Sequence, residues 1–258
     1  MTQCIYTKTC PCVVSIRFWV ADWHVPIVGN IIFISLISDY NAVSGQMHSS
    51  IIEWFLKEVK QNPGHFNNQA IIEVGSCDVN GSVRPIIETF CTPKKYIGVD
   101  ITPGRYVDFV LDARDLLNHF GKNCFDVALS TETLEHTSDW RKTVGNIKEI
   151  LKESGLVFIT TRSRGYPYHG YPHDYWRYEK EDMQHIFSDF RLISLLDDPQ
   201  EKGVFLKAQK TSDKHVDLNE TALYSVCTGK RTKQVTCRLS LCRKSRLLAR
   251  KYGIGQVS

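Results

Sequence analysis

Four short apolar runs in this chain each end on, or contain, a polar group. Glu73 lies within AIIEV (70–74), Asp100 closes YIGVD (96–100), Asp112 follows VDFVL (107–111), and Ser130, Thr131 and Glu132 follow FDVAL (125–129). A charge in an apolar run is expensive unless something binds it or it sits at the run's exposed end. The loop after the first run, GSCDVNG (75–81), carries two glycines, and Gly75 would let a ligand approach the backbone closely. The loop lacks the G-x-G-x-x-G spacing of a dinucleotide site, because Cys77 stands where the second glycine should be. Asp78 would also repel a pyrophosphate; Glu73 and Asp78 instead suit a ligand that carries positive charge. His136 follows the fourth run. An imidazole ordinarily titrates near neutrality and suits proton transfer, and Glu135 beside it could orient it. The plain alternative for His136 is a satisfied histidine packed beside the next helix.

A second group lies further along. Between Tyr166 and Tyr178 the chain holds five tyrosines, two histidines, Trp176, Asp174 and Arg177. Loops after a strand commonly bind substrate. Tyr171, His173, Asp174, Trp176 and Arg177 are therefore candidate acceptor contacts, able to stack on and hydrogen-bond a sugar or another polar ring. The plain alternative is an aromatic loop packed over the sheet edge. His169, His173 and Asp174 are ligand types for a metal, but no further ligand is evident and no metal is expected.

These groups need a frame. Ile51, Ile52, Phe55, Leu56 and Val59 recur on one face of a helix over 49–59, with Ser49 or Ser50 as its cap. Helices are also predicted over 82–90, 138–153 and 179–190, and a fifth strand over 155–161. RLISLL (191–196) and GVFLKAQ (203–209) read as a closing hairpin. Alternation of this kind predicts an α/β fold: a Rossmann-like doubly wound sheet, mostly parallel, with a C-terminal antiparallel hairpin. In such sheets ligands bind at the carboxyl ends of the strands, where the acids above converge.

Composition bounds the rest. The chain has 258 residues, 42% of them hydrophobic and 23% charged, as in a globular protein with one sizeable core. Its nine cysteines are scattered and odd in number, which predicts free thiols and a reducing, cytoplasmic setting. VPIVGNIIFISLIS (25–38) is 14 residues long, short of the roughly 20 that span a bilayer. No stable membrane insertion is expected. Residues 1–46 differ in composition from the remainder of the chain and are expected to be a dispensable extension, ahead of a domain that starts at Met47 and runs to residue 210. Residues 211–258 read as a basic tail. Nine Lys or Arg and no acid fall between 229 and 258, which leaves 23 basic against 28 acidic residues, or −5, elsewhere. The tail is expected to be solvated and poorly ordered, with nucleic acid or an anionic membrane as the alternative partner.

In order, EVGSCDVNG, YIGVD, VLDARDL and FDVALSTETLEH resemble the motifs of class I S-adenosylmethionine-dependent methyltransferases of the type-11 group, over roughly residues 49–209. The resemblance implies a cofactor, S-adenosyl-L-methionine, and a role for each matching residue. Glu73 and the loop Gly75, Ser76, Cys77 and Asp78 would line its methionine end, with Ser130 and Thr131 flanking it. Asp100 would accept from the ribose hydroxyls, and Ile101 would pack on the adenine. Asp112 would accept from the adenine amino group, with Ala113 near the ring. His136 and Glu135 are the candidate catalytic pair. The implied function is methyl transfer to a small molecule or glycan precursor. The alternatives are a nucleic-acid methyltransferase that uses the basic tail, or a protein that binds the cofactor without catalysis.

Overall fold

The computed structural model describes residues 48–170 and 173–235. The extension over 1–46, Tyr171 and the basic residues from Arg238 onward lie outside this range. Helix α1 (Ser49–Gln61) buries the predicted stripe of Ile51, Ile52, Phe55, Leu56 and Val59, and adds Trp54. Its cap differs from expectation. His48 occupies the N-cap without capping the helix through its side chain, Ser50 is buried, and the Ser49 hydroxyl turns to Gln200.

Strand β1 (Ala70–Val74) is an inner strand of a seven-stranded sheet. Helix α2 (Arg84–Phe90), strand β2 (Lys95–Asp100), the two-residue edge strand β3 (Phe109–Val110), helix α3 (Leu116–Phe120) and strand β4 (Phe125–Thr131) come next along the chain. Helix α4 (Trp140–Ile150) leads into β5 (Leu151–Arg162). Beyond β6 (Trp176–Arg177) and helix α5 (Lys180–Ile186), strands β7 (Phe190–Asp197) and β8 (Gly203–Lys210) form the predicted hairpin. The order is β3-β2-β1-β4-β5-β8-β7, with β8 antiparallel to both neighbours and the β1–β5 pairings parallel. Ile71, Ile72 and Val74 lie at 1% exposure or less, because helices cover both faces of a parallel sheet. The strand order reverses between β1 and β4, so the connections leaving their carboxyl ends diverge and leave a crevice.

Several predicted boundaries move; the helix expected over 179–190 spans Lys180–Ile186 and the fifth strand extends to Leu151–Arg162. The 107–111 run pairs only at Phe109 and Val110, which are exposed on the edge. The helix expected over 138–153 starts after Asp139, whose side chain accepts from the Lys142 amide, and stops at Ile150. The expected tail also changes at its start. Strands β9 (Leu223–Ser225) and β10 (Lys230–Thr232) pair with β6 as a separate antiparallel sheet, and Leu223 is fully buried. Leu223 has apolar surface to bury, which a solvated tail would leave in water. Arg231 pairs with Asp182 and Lys233 with Glu220, so these two basic residues are engaged inside the domain. Cys77, Cys91, Cys124 and Cys227 carry free thiols. Among the described residues, no helix is long and apolar enough to cross a membrane.

Gly145 sits inside α4 where an added Cβ would meet no atom within 4 Å. Glycine in a helix interior costs about 1 kcal/mol relative to alanine. Gly145→Ala should therefore raise the unfolding free energy by about 0.5–1 kcal/mol, read from urea denaturation, and an unchanged or lower midpoint would show that the helix has no room there.

Candidate active site

A cavity of about 390 Å³ opens at the carboxyl ends of β1, β2 and β4, where the strand order reverses. Of the sequence-predicted cofactor residues, Gly75, Cys77, Asp100, Ile101, Asp112, Ala113 and Thr131 line it. Gly75 has φ 83°, and a Cβ there would fall 1.9 Å from the Thr133 hydroxyl. That hydroxyl donates to the carbonyls of Val74 (3.2 Å) and Thr131 (2.9 Å), tying the ends of β1 and β4 together. Only glycine satisfies both the backbone and the contact.

Asp100 ends β2 facing the crevice. Its Oδ2 accepts from the Cys77 amide (3.2 Å) and its Oδ1 from the Thr102 amide (2.8 Å). Each carboxylate oxygen can accept more than one bond, so the braced group keeps capacity for a ligand. Ile101, 55% exposed, forms the rim beside it. Asp112 caps the short turn Ala113–Asp115 by accepting from the Arg114 amide, and also pairs with the Arg114 guanidinium at 2.6 Å. Those Arg114 bonds hold its carboxyl below the usual range. The Cys77 side chain is accommodated because residue 104 is glycine: a Cβ at Gly104 would stand 2.5 Å from Cys77 Sγ. Burial and the neighbouring Asp100 and Asp78 push that thiol up, away from the reactive thiolate.

Four predicted cofactor contacts lie beneath the cavity instead of lining it. Glu73 is buried and accepts from the Tyr96 hydroxyl at 2.7 Å, with Ser82 Oγ 3.4 Å from both its oxygens. Burial pushes its carboxyl up to about 7, against the opposing pull of Tyr96, Arg84 and Ser82. It organises the loop. Asp78 accepts from the Gly81 amide (2.9 Å) and faces Arg105 (3.4 Å), so it closes the turn. Ser76, in the loop after β1, and Ser130, near the end of β4, are buried.

The other wall is built by the turn after β4 and the aromatic loop. His136 lines the cavity, and its Nδ1–H donates to the His173 carbonyl at 2.5 Å. A carbonyl can only accept, so the proton of a neutral His136 is on Nδ1 and its lone pair is on Nε2. Glu135 is fully buried behind it; its Oε2 accepts from the Thr161 hydroxyl (2.8 Å) and its Oε1 lies 3.7 Å from His169 Nε2. Burial works to raise Glu135, but His169 and His136 outweigh it and hold the carboxyl down. Burial likewise works to lower His169, but Asp174 and Glu135 on its two sides raise it to about 9.

Several lining residues carry no clear signal in the sequence. His48, Thr133 and Tyr175 face the cavity, as do Glu132 and His169, which the sequence marked only as a turn residue and as a metal-ligand type. Glu132 has the left-handed φ of 52°, uncommon for a non-glycine residue and often found at functional sites. Its Oε1 accepts from Thr160 Oγ1 (2.9 Å) and its Oε2 pairs with Arg162 Nε. Burial and the charge of Glu135 push Glu132 up. The one hint is the STE turn after the fourth run, with the acid one residue past the strand.

Three predicted acceptor contacts are corrected. Asp174 and Trp176 show no exposure and Arg177 only 1%. Trp176 donates from Nε1 to the Thr137 carbonyl (2.9 Å) within the core. Arg177 binds Asp174 through both terminal nitrogens (2.5 and 2.7 Å) and donates to the Pro167 carbonyl (2.9 Å). They hold the loop and do not face a ligand. His173 does line the cavity. Tyr171 lies outside the described residues.

Residues 53–198, more than half the chain, match the profile of the methyltransferase domain family. The chain belongs to that family. This methyltransferase is S-adenosylmethionine-dependent, with S-adenosylmethionine as its cofactor. No curated protein matches the methyltransferase. Solved structures do. The Burkholderia thailandensis 1,6-didemethyltoxoflavin-N1-methyltransferase, bound to 1,6-didemethyltoxoflavin and S-adenosylhomocysteine, is 14% identical, over 75% of this chain and 94% of that one, with a TM-score of 0.48. The N-methyltransferase NodS from Bradyrhizobium japonicum WM9, with S-adenosylhomocysteine, is 12% identical over 62% and 87%, with a TM-score of 0.47. At these levels neither assigns an acceptor to this methyltransferase.

The buried groups make two tests possible. Glu73 is raised in the fold from an ordinary 4.5 to about 7. As pH rises from 4.5 to 7 the unfolded chain loses this proton before the folded one does. Stability therefore falls across that window, by roughly 2–3 kcal/mol at most. Glu73→Gln should flatten the slope relative to wild type in denaturant midpoints taken across and just beyond that window; parallel slopes would show that Glu73 ionises normally. Trp176→Ala should cost about 3–5 kcal/mol, as for other large buried truncations. Thermal melts check it, and a melting temperature indistinguishable from wild type would return Trp176 to the surface.

Proposed function

We propose that the protein is a cytoplasmic methyltransferase that acts on an oxygen or nitrogen of a small polar molecule or glycan precursor. Asp100 carries the reading. It is a carboxylate fixed by two backbone amides at the strand-order reversal, with acceptor capacity turned to the cavity. The cavity fits the cofactor in its donor set. Asp100 would accept from the ribose hydroxyls, Ile101 would cover the adenine, and Asp112 with Ala113 would meet its polar edge. Gly75, Cys77 and Thr131 would surround the methionine part, while Glu73, Ser76, Asp78 and Ser130 support them from below.

S-adenosylmethionine supplies a methyl group already activated on a sulfonium. The chain's work is then to hold the acceptor close and to ease the loss of its proton; orientation of this kind is worth up to about 7–11 kcal/mol in favourable cases. His136 offers the Nε2 lone pair for the second task, and Glu135 stands behind the wall. His173 and Tyr175 are the loop residues placed to touch the acceptor. The four free thiols among the described residues suit a reducing compartment.

Titration calorimetry with S-adenosylhomocysteine tests the cofactor half. Asp100→Ala should weaken binding by one or two charge-assisted hydrogen bonds, each about 1.5–3 kcal/mol, with the fold retained. Unchanged affinity in a folded variant would remove Asp100 from the ribose. A screen of small hydroxyl and amine compounds with methyl-labelled cofactor tests the acceptor half, and labelling of nucleic acid alone would overturn it.

A further inference from the structure

The acceptor wall contains a cluster that proton transfer by His136 alone does not require. Glu135, His136 and His169 meet where the turn Leu134–His136 faces the aromatic loop, and one ligand atom from each lies within 4.8 Å of the others. The far side of each ring faces an acceptor oxygen, as a hydrogen bond for His136 and as an ion-pair contact for His169. His136 Nδ1 donates to the His173 carbonyl, and His169 Nδ1 stands 3.2 Å from Asp174 Oδ2. Asp174 also accepts from the His169 backbone amide (3.0 Å) and is itself held by Arg177, so this ring is braced from behind. Metal-binding histidines ordinarily present their second nitrogen to a carbonyl or a carboxylate, which fixes tautomer and orientation. Nε2 is the nitrogen left on both rings.

Glu135 supplies the third donor and the decisive observation. The residue has no solvent exposure, its Oε2 is occupied by Thr161, and its Oε1 has no hydrogen-bond partner. A buried carboxylate oxygen left without a donor is costly, and this one lies 3.7 Å from His169 Nε2.

We infer that Glu135 Oε1, His136 Nε2 and His169 Nε2 form a two-histidine, one-carboxylate site for a divalent first-row transition-metal ion. Two imidazoles exclude the oxygen-seeking calcium and magnesium, and a three-donor set leaves coordination positions open. His136 and His169 both line the cavity, so those positions face the acceptor. The inference rests on the methyl-transfer reading and narrows it to an acceptor with a metal-binding oxygen, such as a phenol, an enol or one hydroxyl of a diol. Coordination acidifies that hydroxyl. Its proton passes to solvent, the freed oxygen pair forms the O–C bond to the methyl, and the S–C bonding pair returns to sulfur. His136 then holds a metal ion where the simpler scheme gives it a proton. The simpler scheme gives Glu135 Oε1 and His169 Nε2 only their mutual ion pair at 3.7 Å.

Cobalt(II) is the probe, added to the full chain and followed by its visible absorption, with zinc competition and with S-adenosylhomocysteine binding measured on the same samples. One equivalent should bind. His169→Asn and Glu135→Gln should each weaken binding by about a hundredfold or more, whereas His173→Asn, which keeps the carbonyl, should not. Unchanged S-adenosylhomocysteine affinity in these variants shows that they are folded; should one fail that check, His136→Asn takes its place. Absence of stoichiometric cobalt binding by a protein that binds S-adenosylhomocysteine overturns the metal site alone. Cobalt binding that survives both His169→Asn and Glu135→Gln overturns it too. Stoichiometric, variant-sensitive cobalt binding without S-adenosylhomocysteine binding keeps the metal site and rejects the cofactor reading.

Discussion

Arg162, at the end of β5, has no exposed surface, and a guanidinium cannot shed its proton to escape burial. Its charge has to be met inside the protein. Glu132 and Asp198 meet it, the first from the end of β4 and the second from the turn between β7 and β8. The Tyr166 ring lies 4.4 Å from it and the Arg162 carbonyl accepts from the Tyr178 amide, so both ends of the aromatic loop are fastened to the same residue. Removing either carboxylate would leave a buried cation underpaired, the costly direction for a buried ion pair. This one neutralisation therefore fixes the hairpin, the loop and the left-handed turn at Glu132 together.

From that anchor the two walls of the cavity acquire different characters. The β1–β2 side is made of backbone: a glycine turn and amides that brace Asp100. The β4–β5 side is made of side chains that carry charge, with Glu132, Glu135 and Asp174 set against Arg162, Arg177 and His169. A rigid backbone suits one invariant ligand. A charged wall assembled from a loop suits whatever the loop selects, and specificity in a shared fold resides in such grafted parts.

Much of the first wall was legible in the sequence. Parallel strands are buried on both faces and read as unbroken apolar runs, so the residue that ends each run marks the ligand side of the sheet. Asp100 and Asp112 are found that way. Glu73 is misplaced by the same logic, because a carboxyl shielded by Tyr96 looks in sequence like one that awaits a ligand. The second wall was legible only in outline. Trp176, Arg177 and Asp174 read as an exposed recognition set since charged residues are rarely fully buried unless paired, and the pairing is invisible along the chain. Strands β6, β9 and β10 are two or three residues long, too short for any period to show. The unusual backbone at Glu132 has no residue-type signature.

Cys77 and Gly104 show how such a site constrains its own history. The thiol occupies the space that any side chain at residue 104 would need. A larger residue at 104 requires the Cys77 thiol to turn away, or residue 77 to shrink first. The two positions are thus coupled. Carrying the cysteine makes one path of sequence drift beside the cofactor loop harder than the other.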